Sequence, residues 1–219
     1  MAEINNEKAI KIPKKDERLA ELVGIILGDG GIYKNKKLSM YELRIAGNSQ
    51  TDKEYLLEYV KPLIEKLFGI KVRIYFSKKR NCLHIIAQGV RLINYLESIG
   101  LKSGDKVKNN INIPKWIFDS DIFVKSCLRG LIDTDGCVLP ITGRDYTYIW
   151  FSSGIPNLRK DFEKIISKLD YKISKWNFNR TPETYIGSKK MIIKYYKEIG
   201  FSNPKHIKRF KMPELLMLQ

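Results

Sequence analysis

Acidic residues are in short supply: 24 Asp and Glu face 40 Lys and Arg, which leaves a net charge of +16 over 219 residues. An imbalance of that size points to a polyanionic partner, with nucleic acid ahead of an anionic membrane surface. Cysteine is scarce too. Cys82, Cys127 and Cys137 build no even disulfide framework and no CxxC pair, which fits a reducing compartment. Two histidines, His84 and His206, lie far apart and argue against a zinc centre or a histidine-based nuclease site. No run of about 18 apolar residues is present, so no membrane span is expected. The opening MAEINNEKAIKIPKKDER lacks the apolar core of a secretory signal, so a cytoplasmic or organellar location is expected. With 43% hydrophobic residues the chain can still bury an ordinary core.

What is present is a motif used twice. LVGIILGDG (22–30) and LRGLIDTDG (128–136) align on their Asp-Gly pairs and place Asp29 and Asp135 106 residues apart, about half the chain. The blocks that follow also match. Unit one reads as helix 17–27 with Asp16 as N-cap, strands 31–35 and 41–46, helix 52–68 capped by Asp52, a hairpin of 71–77 with 83–87, and helix 90–99. Unit two reads as helix 120–132, strands 137–141 and 146–152, helix 157–169, a strand pair 172–178 and 184–186, and helix 189–199. Ile99-Gly100-Leu101 and Ile199-Gly200-Phe201 close the two blocks in the same way. The expected fold is α+β: two pseudo-symmetric αββαββα repeats with saddle-shaped antiparallel sheets and the motif helices packed at the centre. The expected divisions are a basic arm at 1–16 that lies loosely along phosphate, a first half at 17–110 and a second half at 111–219, forming one monomer. Gly30 and Gly31 are expected to end the first helix through positive φ.

The motif helices carry the chemistry. Gly24 and Gly28 on one would face Gly130 and Thr134 on the other, so that the two backbones nearly touch. Asp29 and Asp135 then come together where both helix dipoles are negative. Two carboxylates in that field repel unless a cation lies between them, and hard oxygen donors select Mg²⁺. A basic chain with such a pair reads as a phosphodiester hydrolase. Asp133-Thr134-Asp135-Gly136 is no calcium loop, because its twelfth position is Arg144 where Glu is needed. Strands such as KVRIYFSKKRN, KISKWNFNR and GRDYTYIWFSS alternate basic or aromatic residues with others, which suits four hairpins facing a duplex groove.

The paired motifs resemble the LAGLIDADG signature of homing endonucleases in the single-chain, two-motif form, and the resemblance covers nearly all of 17–219. It implies a site-specific DNA endonuclease acting on a long asymmetric duplex, with Asp29 and Asp135 as metal ligands beside Gly28 and Thr134. It implies Mg²⁺ as two or three ions, with Mn²⁺ as substitute and Ca²⁺ supporting binding without turnover. Gln50 in unit one and Lys189 (or Lys190) in unit two match the accessory polar positions. Asp133 stands where unit one has Leu27 and is expected to be a polar group near the helix end, without an essential role. Arg44, Lys71, Arg73, Tyr75, Arg144, Tyr148, Lys175, Trp176 and Asn177 are the candidate DNA contacts, chosen by strand position. No flanking splicing blocks are evident, so a free-standing, intron-encoded type is expected. The alternatives are a maturase that binds its host intron RNA and a DNA-binding regulator that does not cut.

Overall fold

The computed structural model describes residues 9–143 and 145–211, including every side chain among them except that of Lys78. The order of elements in the first half is α1 (Glu17–Gly28), β1 (Gly30–Asn35), β2 (Met40–Asn48), a π-helical turn (Tyr55–Val60) continuing into α2 (Lys61–Phe68), β3 (Arg73–Ser77), β4 (Cys82–Gln88) and α3 (Val90–Ser98). A 3₁₀ turn (Lys115–Asp119) leads into the second half: α4 (Asp121–Asp135), β5 (Gly136–Pro140), β6 (Thr147–Ser152), α5 (Pro156–Lys168), β7 (Glu183–Ile186), α6 (Lys189–Glu198) and α7 (Pro204–Arg209). Both sheets are antiparallel, in the orders β1-β2-β4-β3 and β5-β6-β7. None of the helices among the described residues is long and apolar enough to cross a membrane.

The repeat is visible in how each half starts. Asp16 caps α1 by accepting the Leu19 N–H at 2.9 Å. From Leu19 to Gly28 every residue of α1 is buried, so this helix is surrounded and does not lie on a surface. It packs along α4, whose Val124, Cys127, Leu128, Leu131 and Ile132 are also buried. One core cluster runs through both halves, and the inward residues of the strands (Leu43, Ile45, Leu83, Ile85, Ile149, Phe151) close it from the sheet side.

Four expectations need correction. Gly30 and Gly31 do not take positive φ; α1 ends on Asp29 at φ −86°, ψ 1°. Gly30 is needed for space, because a Cβ there would stand 2.5 Å from the Ile26 Cα as the chain folds back into β1. Gly136 repeats this against the Ile132 carbonyl oxygen at 2.4 Å. Asp52 does not cap the following helix with its side chain; it accepts the Asn48 N–H at 2.9 Å and the Lys205 ammonium at 2.7 Å.

The described part of the arm is not loose. Lys11 N–H donates to the Phe68 carbonyl at 2.8 Å and the Tyr95 hydroxyl to the Pro13 carbonyl at 3.0 Å, which lays residues 11–13 against the first half. Finally, 172–178 forms no strand. Ser174 and Thr184 put hydroxyls where ladder bonds belong: Thr184 Oγ1 donates to the Ser174 carbonyl at 2.8 Å, and Ser174 Oγ accepts the Tyr185 N–H at 3.2 Å. What backbone pairing remains is the Ser174 N–H donating to the Tyr185 carbonyl at 2.9 Å and an isolated bridge, Asn177 with Glu183.

Candidate active site

Glycine sets the distance between α1 and α4. A Cβ built on Gly24 would lie 2.2 Å from the Cys127 carbonyl oxygen, and one on Gly130 would lie 2.3 Å from that of Glu21. Backbone thus meets backbone, and the facing expected for Gly24 and Gly28 with Gly130 and Thr134 is what the structure contains. Glu21 of α1, buried and charged, pairs with Arg129 of α4 and accepts the Ser202 hydroxyl at 2.6 Å. A buried carboxylate of this kind is held only because a cation and a hydroxyl both reach it.

This packing brings Asp29 and Asp135 together at the C-terminal ends of the two helices; a Cβ on Gly28 would stand 3.5 Å from the Asp135 carboxyl carbon. Asp29 is exposed and Asp135 is half-buried. Crowding by protein raises the Asp29 carboxyl above its ordinary range; Lys205 and Lys106 pull it down and Asp52 pushes it up. Burial, reinforced by the charge of Asp29, pushes Asp135 up to about 7. Among the described residues no group of three or more His, Cys, Asp or Glu is arranged to hold a metal ion by itself.

Two lysines, neither of them picked out in the sequence, accompany the pair. Lys106 donates to the Leu27 carbonyl at 3.0 Å and also to that of Gly28, satisfying the open C-terminus of α1. Burial lowers its pKa, and the charges of Asp135 and then Asp29 oppose that shift. Lys205, held on Asp52, is the first cation felt by Asp29. The pairing therefore crosses over, with the lysine after each half acting most on the other half's aspartate. The available signal was the duplicated Ile-Gly closing each block, with Lys106 six residues after Gly100 and Lys205 five after Gly200.

The remaining candidates are scattered. Gln50 is exposed in the turn after β2, where its N–H donates to Asn48. Lys189 is ion-paired with Asp145 at 3.0 Å. Thr134 spends its hydroxyl on the Gly130 carbonyl at 2.8 Å, and the Gly28 carbonyl is taken by Lys106. Asp133 is 1% exposed; it accepts the Ser202 N–H at 2.8 Å, and its carbonyl accepts Asn203 Nδ2 at 3.0 Å.

Burial pushes the Asp133 carboxyl up to about 8. A carboxyl raised in the fold keeps its proton when the unfolded chain has lost it, so stability present below about pH 4 declines as pH rises toward 8. Asp133→Asn is expected to flatten that decline. The variant should match the wild type near pH 4 and exceed it at pH 9 by roughly a few kcal/mol, read from urea midpoints.

Of the strand candidates, Arg44 and Arg73 project from the sheet face turned away from the helices and both reach Glu42. Arg44 also lies 4.8 Å over the Tyr33 ring. Tyr75 is 57% exposed on the same face, and Lys71 precedes β3 in the open. In the second sheet Tyr148 faces outward, and Lys175 and Asn177 are exposed. Trp176 does not face outward. Its ring packs edge-on against Phe151 and Phe162, and its Nε1–H donates to Glu163 of α5 at 2.6 Å, which places it on the helix side. Arg144 lies outside the described residues.

Two motif helices packed through glycine, each ending on an aspartate and opening a β-sheet, can be compared with known proteins. Residues 123–200 match the family model of a LAGLIDADG-like domain. The homing endonuclease I-DmoI, solved in complex with DNA and Mn, superposes with a TM-score of 0.60 at 18% identity, covering 84% of this chain and 96% of its own. The chain has the LAGLIDADG fold. I-LtrWI, a LAGLIDADG homing endonuclease bound to target DNA, matches with a TM-score of 0.59 at 16% identity over 88% of this chain and 87% of its own. The N-terminal LAGLIDADG domain of DUF199/WhiA matches at 0.56 and 18%, over 86% of each chain. In sequence, the replication factor C small subunit of Methanocaldococcus jannaschii is 30% identical over 213 residues, a stretch that covers 85% of this chain and 11% of that protein. The chain therefore spans about a tenth of that relative's length.

Proposed function

We propose that this LAGLIDADG chain is a divalent-metal-dependent, site-specific endonuclease that hydrolyses both strands of duplex DNA. The observation that carries the reading is the carboxylate pair at the C-termini of α1 and α4, an anionic spot in a chain of net charge +16. Two carboxylates in the negative field of two helix ends repel each other; Lys106 and Lys205 offset part of that charge, and a bound cation would offset more. The donor set fits Mg²⁺, which is commonly bound by one or two carboxylates with substrate phosphate completing its shell. When bound there, such an ion lowers the pKa of water and polarises a phosphate oxygen. I-DmoI, of the same fold, has been solved with DNA in the presence of Mn and of Ca.

In this reading Asp29 and Asp135 hold the cation. Hydrolysis forms a new P–O bond from water and breaks one P–O bond to a sugar oxygen, which leaves with a proton. Lys106, whose ammonium lies against the end of α1 near both aspartates, offsets charge on the phosphate, and Lys205 does so from the other side. Arg44, Arg73 and Tyr75 on the first sheet meet the duplex, with phosphate contacts positioning the chain and base contacts selecting the site.

Lys106→Met is expected to slow cutting by about a hundredfold while duplex affinity changes less than about threefold. Single-turnover rates and fluorescence anisotropy on one duplex would separate those effects. The function itself is tested by mapping cut ends in a random duplex library with Mg²⁺, Mn²⁺ or Ca²⁺. Cut ends at one long sequence with Mg²⁺ or Mn²⁺, and the same sequence retained uncut with Ca²⁺, are expected. Retention of a sequence with no cut ends under any of the three ions would overturn the reading.

A further inference from the structure

The two sheets offer a duplex different chemistry. On the first, Arg44 pairs with Glu42 Oε2 and Arg73 with Oε1, the oxygen that also accepts Gln88 Nε2, so fixed donors stand beside the exposed rings of Tyr33 and Tyr75. On the second, the outward positions of β5, β6 and β7 hold no basic residue; Ser152 and Glu183 form one end of the face, Arg209 of α7 reaches Cys137 Sγ at 3.9 Å, and the exposed Lys175 borders β7. Leu139, Tyr148, Trp150 and Tyr185 instead form an apolar wall. The rings of Tyr148 and Tyr185 stack at 4.8 Å and 8°, and Trp150 leans on Tyr185 at 4.6 Å. Leu139 is the register partner of Tyr148 and is 41% exposed. Gly187 lets the wall settle, because a Cβ there would stand 2.6 Å from the Tyr185 ring. These rings hold one another, so little side-chain freedom is left to lose on binding.

Such a wall offers ring carbon and the exposed Leu139 side chain, with the phenol hydroxyls of Tyr148 and Tyr185 as its polar tips. In the major groove the base edges present donors and acceptors, together with one apolar group, the C5-methyl of thymine. We infer that the second sheet selects its half of the target through thymine methyl groups, with Leu139, Tyr148, Trp150 and Tyr185 as the specificity-determining residues, while the first sheet reads polar edges. The inference rests on the duplex-binding reading given above and adds which bases the second half prefers and by what contact.

The test uses the full chain and a duplex selected from a random library in Ca²⁺. Thymines are replaced by deoxyuridine, which removes only the methyl, in one half-site at a time, and affinity is read by fluorescence anisotropy. Uracil in one half is expected to weaken binding by about fourfold per contacted methyl and to have little effect in the other half. Leu139→Ser, at an exposed position, is expected to bind thymine and uracil duplexes alike at the position it touches, which assigns the sensitive half to the second sheet. Equal affinity for thymine and uracil throughout a selected site would overturn the inference and leave duplex recognition standing. Sensitivity that Leu139→Ser leaves unchanged but Arg44→Ala or Arg73→Ala removes would also overturn it. A chain that retains no duplex from the library would overturn both readings.

Discussion

Asp135→Asn is expected to bind a selected duplex in Ca²⁺ within a few-fold of the wild type and to cut it about a thousandfold more slowly or worse. Asparagine keeps the shape of the side chain, so the α1/α4 contact is untouched and only the charge is lost. That charge matters because the carboxyl ends a helix, lies beside Asp29 and is held up to about 7. A site strained in this way without a cation gives a second, opposite expectation. The free variant should be at least as stable as the wild type at pH 8, because a carboxyl raised in the fold contributes stability that is lost as pH climbs from about 4 to about 7. Asp29→Asn should show the same pattern with a smaller gain, since Lys205 and Lys106 already offset its charge. Loss of cutting together with a lower melting temperature at pH 8 would assign Asp135 to the fold and not to the chemistry.

Gly130→Val is expected to destabilise the chain by about 3 kcal/mol or more, enough to compromise folding. The added carbon would meet the Glu21 carbonyl oxygen at 2.3 Å and the Ile25 nitrogen at 2.8 Å, both of them backbone atoms of a buried helix that cannot swing aside. α1 would have to retreat, opening the core that both halves share and separating the aspartates. Gly28→Ala is the informative contrast. Its new carbon meets the Thr134 hydroxyl, which can rotate at the expense of its bond to the Gly130 carbonyl, and the Thr134 Cβ at 2.8 Å, which yields only through a small backbone shift. A milder loss, about 1–2 kcal/mol, is expected there. Urea unfolding of both variants settles the order, and a Gly130→Val midpoint within experimental error of the wild type would contradict the close packing.

Local periodicity reached most of this architecture. The apolar spacing of α1, the alternation in β2 and β4, and the glycine that ends α2 at φ +66° are each decided within a few residues. So is the duplication, because both copies of the motif need glycine where the backbones touch. What escaped depends on distance in sequence. Lys106 and Lys205 reach the aspartates only once the segments after α3 and α6 cross the ends of the motif helices. Asp52 has the residue type and place of a helix cap, yet the ion pair with Lys205 from 153 positions away claims its carboxylate. Strand position alone made Trp176 a DNA-contact candidate beside Lys175 and Asn177, but 172–178 is held to β7 by side-chain hydroxyls and a few backbone bonds, and the indole turns to Phe151 and Phe162. α7 could have been seen: Asn203 followed by Pro204 is a cap and first-position pair, and Asn203 does accept the Lys205 N–H at 3.1 Å.

The central claim, a metal-dependent cut made by one paired-aspartate centre, is tested most directly by following each strand of a supercoiled plasmid that carries one selected site. The wild type in Mg²⁺ is expected to open both strands at that site, with no product in EDTA and none from Asp29→Asn or Asp135→Asn. A product that persists in EDTA, or cutting at the wild-type rate by either variant, would contradict it.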